Sequence, residues 1–360
     1  MSNLPPVLRT LPLPIIAAPL FIINTAKSII AQCKAGVVGT MPSLNARPAA
    51  QLDDWLAEIT ETLDAYNKAN PDKPAAPFGI NLIVNKSNDR MDYDLDAVTR
   101  FKVPIIITSL GARTDVNDAI HAYGGVVLHD VINNNFAHKA IEKGADGLIA
   151  VAAGAGGHAG VKSPFALIQE IRQWFDGPLA LSGAISSGSA VLAAQSMGAD
   201  FAYIGSAFIA THEASAKEAY KKAIVDGNSD DIVYSNLFTG VHGNYLKPSI
   251  RNIGLDPDAL PQGSGGMISF NSERQDQKWQ SRASTTEAKP ELVAAEASAA
   301  TAKATAAKAW KDVWGCGQGI GNITEITSTE VLVARLVREY GEARARVMGS
   351  TVGQPEAVAA

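Results

Sequence analysis

Between Pro14 and Val225 the chain holds eight short, nearly continuous apolar runs, at 14–18, 36–39, 78–84, 104–108, 125–128, 147–151, 178–181 and 201–204. Each gives way to a glycine, polar or charged turn. Runs of this kind are expected of parallel strands covered by helices on both faces. Segments with helical patterning separate them at 25–34, 49–67, 95–101, 116–123, 136–143, 165–175 and 188–197, and another follows at 215–225. Eight strands alternating with eight helices predict an α/β fold of the closed (β/α)8 type, a TIM barrel, because an open doubly wound sheet more often stops at five or six strands. The tripeptide Gly-Ala-Asp at 144–146 recurs at 198–200, both times between a helix and the next strand, so a structural unit repeats.

Past Val225 the pattern becomes loop-rich, with Pro248, Pro257 and Pro261, and then alanine-rich over 291–310, where a helix is predicted. An amphipathic pattern at 331–347 predicts a last helix packed back on the body. The expected division is a barrel over 1–226, a loop-rich and helical insertion or lid lobe over 227–327, and a C-terminal helix over 328–348, so the barrel carries a largely helical C-terminal extension. With 46% hydrophobic and 19% charged residues, the chain is not of the disordered class. Its formal net charge of −5, without any block of lysine or arginine, argues against a nucleic-acid partner and against an anionic membrane surface. Cys33 and Cys316 lack the spacing of a zinc site, so no metal is expected and both thiols are read as reduced. No basic segment followed by an apolar run opens the sequence, and no stretch approaches the ~20 apolar residues of a membrane helix; a cytoplasmic protein is expected.

In barrels of this type the chemistry lies at the C-terminal ends of the strands. After the sixth run comes Ala153-Gly154-Ala155-Gly156-Gly157-His158-Ala159-Gly160, where glycines let backbone amides approach a ligand and one imidazole is presented to it. The seventh run leads through Ser182-Gly183-Ala184-Ile185-Ser186-Ser187-Gly188, and the eighth through Gly205-Ser206-Ala207-Phe208, directly into helical segments. Helix N-termini carry free N–H groups, and this fold often binds phosphate in the loops after strands seven and eight. These loops predict an enzyme that holds a phosphate-bearing cofactor, with His158 as its catalytic group.

These motifs resemble those of the nitronate monooxygenases, formerly 2-nitropropane dioxygenases, which are FMN-dependent barrels related to flavin-dependent enoyl reductases. The resemblance runs from Ile15-Ile16-Ala17-Ala18-Pro19-Leu20 through Gly79-Ile80-Asn81-Leu82, Ala155-Gly156-Gly157-His158, Ser182-Gly183-Ala184-Ile185 and Ile204-Gly205-Ser206 to a glycine–glutamine element at 314–321. It implies FMN as cofactor. The backbone of Ala18, Pro19 and Leu20 would lie beside the flavin, Asn81 would hydrogen-bond it, and Ala155, Gly156 and Gly157 would line it. Gly183, Gly205 and Ser206 would hold its phosphate. His158 would face the substrate, with His129, His242 and Tyr245 as further substrate-side candidates and the segment 238–245 as a lid. The sequence departs from the family after the fifth run: some relatives carry histidine then lysine, whereas His129 here is followed by Asp130. Lys162, Lys247 and Arg251 are the candidates for a substitute cation.

The reaction implied is oxidation of an alkyl nitronate, such as propionate 3-nitronate or a nitroalkane anion, with molecular oxygen to a carbonyl compound and nitrite. Its partners are that small molecule and oxygen, with a homo-oligomer left open. Two other readings keep the barrel: an NAD(P)H-dependent reductase of a quinone or enoyl thioester, and a flavin-binding barrel without turnover.

Overall fold

The computed structural model describes residues 3–261 and 310–349. Eleven strands occur in chain order: β1 (Ile15–Ala17), β2 (Gly39–Pro42), β3 (Phe78–Ile83), β4 (Ile105–Ser109), β5 (Val126–Val131), β6 (Gly147–Val151), β7 (Gly157–His158), β8 (Leu179–Ser182), β9 (Phe201–Ile204), β10 (Ile232–Ser235) and β11 (Gly243–Leu246). Eight of them form one parallel sheet in the order β1-β9-β8-β6-β5-β4-β3-β2. The barrel closes where Ile16 bridges Val38, with the Ala17 amide donating to the Val38 carbonyl at 2.8 Å. The expected (β/α)8 barrel is therefore the fold.

Alternation along the strands sorts the core into two layers. Ile16, Val38, Ile105, Ile107, Val126, Leu128, Ile149, Ala180 and Phe201 fill the barrel interior, and Leu8 from the N-terminal segment packs among them. The alternate positions, such as Ile15, Ile80, Ile106, Val127, Leu148 and Leu181, pack outward against the helices.

Both copies of Gly-Ala-Asp perform the same two tasks. Gly144 and Gly198 end their helices at φ +94° and +113°, in the left-handed region that favours glycine. Asp146 and Asp200 then stitch to the preceding strand: each donates its amide to a carbonyl, of Val127 at 2.9 Å and of Leu179 at 2.7 Å, and each carboxylate accepts that residue's amide in return. His121 and Arg172 reach the same carboxylate oxygens that accept these amides, at 2.8 Å and 2.6 Å.

Three departures from the expected boundaries matter. The second strand begins at Gly39 because Gly36, at φ +98°, is still capping the preceding helix. The fifth continues to Val131 and takes His129 and Asp130 into the sheet. An unforeseen four-residue helix, Ser206–Ile209, leaves β9 before the expected helix, which starts at Glu218. The helix predicted over 291–310 lies outside the described residues except for Trp310. Among the described residues no helix is long and apolar enough to cross a membrane.

The C-terminal helix, Thr329–Met348, packs on the helices Gly188–Met197 and Ala26–Ala35. Its Gly341 is exposed, and a Cβ there meets nothing within 4 Å. Gly341→Ala is expected to stabilise the protein by about 0.5–1 kcal/mol, read as a higher denaturant midpoint at unchanged slope.

Candidate active site

The C-terminal ends of the barrel strands bring together a polar floor. Inward register at this level belongs to Asn81 on β3, Ser109 on β4, Asp130 on β5, Ser182 on β8 and Tyr203 on β9, the positions that continue the interior layer. Asn81 spends both protons of its amide, one on the Ile107 carbonyl at 3.1 Å and one on Ser109 Oγ at 2.7 Å. Only its Oδ1 remains to meet a ligand, as an acceptor. Ser109 in turn donates to the Asp130 carboxylate, whose pKa burial raises to about 6.

His129 lies on the other face of β5. Its neighbours Val127 and Val131 pack outward, and its Nδ1 meets Thr108 Oγ1 at 2.6 Å in a site only 6% exposed. The structure therefore does not bring this substrate-side candidate to the mouth; the strand runs three residues further than its apolar run, and alternation turns His129 toward the helices.

Above the floor β7, β11 and β10 form a three-stranded antiparallel sheet, with His158 paired to Gly243. His158 Nε2 meets Thr239 Oγ1 at 3.1 Å, and its ring stands edge-on to Trp310 at 5.2 Å. The Thr239 hydroxyl has one proton, given to the Val241 carbonyl at 2.9 Å, since a carbonyl can only accept. Its oxygen thus accepts from His158 Nε2–H and from the Tyr245 hydroxyl at 3.2 Å. With the proton so placed, Nε2 carries the hydrogen of the neutral imidazole, and Nδ1, without a hydrogen-bond partner among the described residues, is a lone-pair acceptor. Burial pushes the His158 pKa down to about 4. Tyr245, fully buried, thus acts behind Thr239, in contact with Phe238 and Trp310. His242 is exposed and stacked on Tyr234 at 5.1 Å, outside this network.

The loops gather as the sequence suggests, with one correction. Ala18, Leu20 and Gly205 are adjacent: a Cβ on Gly205 would stand 3.3 Å from Leu20 and 3.6 Å from Ala18. Pro19 lies in the same turn, and Ala18 is tied to the end of β9 through the Ile204 carbonyl at 2.8 Å. Gly183 follows β8, where a Cβ would meet the Ala153 carbonyl at 2.9 Å. The helix Gly188–Met197, however, offers no free N-terminus to an anion, because the Gly188 amide donates to the Glu339 carboxylate at 2.8 Å. The free first-turn amides belong to the short Ser206–Ile209 helix.

Residues 315–320 thread between these loops. The Gln318 amide bonds the Gly154 carbonyl at 2.9 Å, the Gly317 amide bonds Ser206 Oγ at 2.9 Å, and Ser186 Oγ donates to the Gly319 carbonyl at 2.5 Å. Gly156 is required by this packing, since a Cβ there would stand 2.7 Å from the Gly317 nitrogen; Ala155, itself buried, accepts at its carbonyl from Asn244 at 2.7 Å. Cys33 and Cys316 are both buried thiols with pKa values pushed up to about 12. Of the candidate cations, Lys247 is engaged by Asp258 at 2.6 Å, while Lys162 and Arg251 are exposed.

Sequence reasoning missed Trp310, Ser109 and Tyr203, and named Thr239 only within the segment 238–245, not as the partner of His158. Tyr203 was readable in principle, as the inward position at the end of a barrel strand.

Barrel and mouth together set one clamped histidine at the C-terminal ends of the strands, where barrel enzymes carry their chemistry. The family model for nitronate monooxygenase matches residues 10–339, and the chain belongs to that family. It is 25% identical to a nitronate monooxygenase of Paraburkholderia phytofirmans over 286 residues, 68% of this chain and 76% of the relative. The solved structure of FabK from Thermotoga maritima matches it with a TM-score of 0.71 at 22% identity, over 95% of this chain and 97% of the other. Nitroalkane oxidase from Streptomyces ansochromogenes matches with a TM-score of 0.70 at 21% identity, over 94% and 98%. Those two likenesses carry the fold.

Proposed function

We propose that the protein binds FMN in the barrel mouth and oxidises alkyl nitronates, or the nitroalkanes they come from, to carbonyl compounds and nitrite with oxygen as oxidant. The observation that carries this reading, within the family, is His158 held neutral with its Nδ1 unpartnered above a polar barrel floor.

The residues suit the cofactor. Asn81 Oδ1 is an acceptor for a ring N–H, the turn Ala18-Pro19-Leu20 flanks Gly205, and the amides of Gly183, Gly205 and Ser206 are suited to a phosphate. Ser206 Oγ accepts from the Gly317 N–H and its hydroxyl faces the Cys316 thiol, so the backbone amide is what this residue offers an anion. FMN supplies the electron acceptor; the protein supplies orientation, exclusion of water and control of one proton.

His158 controls that proton. With a neutral nitroalkane, Nδ1 takes the carbon-bound proton, and the imidazolium then faces the nitronate it has made. With a preformed nitronate, the substrate's negative charge favours protonation of the same Nδ1 from solvent, and the N–H donates to the nitro group. Thr239 orients the ring in both cases. Thr239→Val is expected to lower kcat/KM on neutral nitroalkanes roughly tenfold, the scale of one lost hydrogen bond, while FMN affinity stays unchanged.

The test is the visible spectrum of the FMN-loaded protein, followed anaerobically after addition of propionate 3-nitronate and, separately, NADPH. Rapid bleaching by the nitronate supports the proposal. Bleaching by NADPH with no response to nitronate replaces it with a nicotinamide-dependent reductase.

A further inference from the structure

Asp130 is a carboxyl the chemistry above does not use. It stands on β5 in the inward register, one step beyond Leu128 of the barrel interior, and its one side-chain hydrogen bond comes from Ser109. From β9 it is faced by Tyr203, whose own pKa is raised by burial and by the Asp130 charge, so that the phenol stays neutral. On β6 its register partner is the apolar Ile149, with Val151 the next inward position, and from β3 Asn81 donates to the Ile107 carbonyl and Ser109. No lysine or arginine among the described residues interacts with it. His129, the neighbouring titratable group, points out of the barrel. Asp130 thus holds its charge with the Ser109 hydroxyl, its own backbone amide and whatever water reaches the mouth, all neutral, and burial has already brought its pKa to about 6.

We propose that Asp130 takes up a proton when FMN binds, so that cofactor binding is linked to pH through the barrel floor. This rests on the flavin reading above. Any ring that settles on the floor removes water from the carboxylate, and no cation compensates; the ionised form loses more than the protonated form, and a solvent proton is drawn in. Once protonated, the carboxyl becomes a hydrogen-bond donor. Relatives with lysine at this position would present a fixed cation instead.

The experiment is calorimetric titration of the apoprotein with FMN in buffers of different ionisation enthalpy, for the wild type and Asp130→Asn. At pH 7.5 the wild type should take up about one proton more than the variant, and at pH 5, where Asp130 is already protonated without ligand, the difference should vanish. The wild-type Kd should therefore rise by up to about tenfold per pH unit above pH 6.5 relative to the variant. Ser109→Ala, which removes the donor that stabilises the charged form, should move that window to higher pH, and it carries the test if Asp130→Asn does not fold. FMN binding with the same proton count in wild type and Asp130→Asn, or an unmoved window in Ser109→Ala, overturns the proposal while leaving the flavin reading intact. Absence of FMN binding overturns both.

Discussion

Replacing His158 with asparagine is expected to leave FMN binding intact and to lower kcat/KM on neutral nitroalkanes by about 10²–10⁴-fold, the usual contribution of a positioned base. Asparagine keeps a donor for Thr239 but has no lone pair with imidazole basicity where Nδ1 stood. Preformed nitronates need no base, so their loss should be smaller, and the ratio of the two losses isolates the proton step. The pH profile carries the same information. Because burial holds the free-enzyme pKa of His158 near 4, kcat/KM on neutral nitroalkanes should stay flat as pH falls from 8 to about 5, and decline only as Nδ1 is protonated below that. Unchanged kinetics in the variant, or an acid limb centred near 6.5, would remove His158 from the role of base.

The largest loss of stability is expected from Gly188→Ala. A Cβ at Gly188 would lie 2.2 Å from the Tyr340 nitrogen and 2.3 Å from the Leu336 carbonyl oxygen, both backbone atoms of the C-terminal helix that no rotamer change can move away. The helix must shift. It is held there by the Glu339 carboxylate on the Gly188 amide, by Arg335 on the Ser186 carbonyl at 3.2 Å, and by the Tyr340 hydroxyl on Gln195 at 2.6 Å. Overpacking of this kind costs about 1–3 kcal/mol, a fall in thermal midpoint of roughly 1–4 °C for a chain of this size. Since the loop from Gly183 to Gly188 moves with the helix, FMN affinity should fall as well. A variant with the wild-type melting temperature would show that this contact is not a keystone.

The architecture was legible because apolar runs report burial on both faces, and the Gly-Ala-Asp repeat marked where helices stop. The same signal failed at polar inward positions. The fifth run ends at Leu128 only if His129 and Asp130 are taken for a turn, whereas a strand that reaches the barrel mouth tolerates a carboxyl on its inner face, with Ser109 as partner, and, with Thr108 as partner, an imidazole on its outer one. His158 stands out in the sequence by its glycines and its place after a strand, yet part of that signal has another cause: Gly156 makes room for Cys316 and Gly317 of this chain. The role of Thr239 could not be found, because it rests on a hydrogen bond spanning 81 positions. Nor could the choice of anion site be read from the loops alone, since Glu339, far along the sequence, occupies one of the two candidate helix ends.

The threading of residues 315–320 between the loops gives the protein a schedule. Gly317 reaches back 111 positions to Ser206, and Gly319 reaches back 133 to Ser186. On a ribosome, which makes the chain from its N-terminus, the eight strands are available well before those late residues emerge. Until residues 315–320 have followed, the mouth of the barrel stands unwalled on that side.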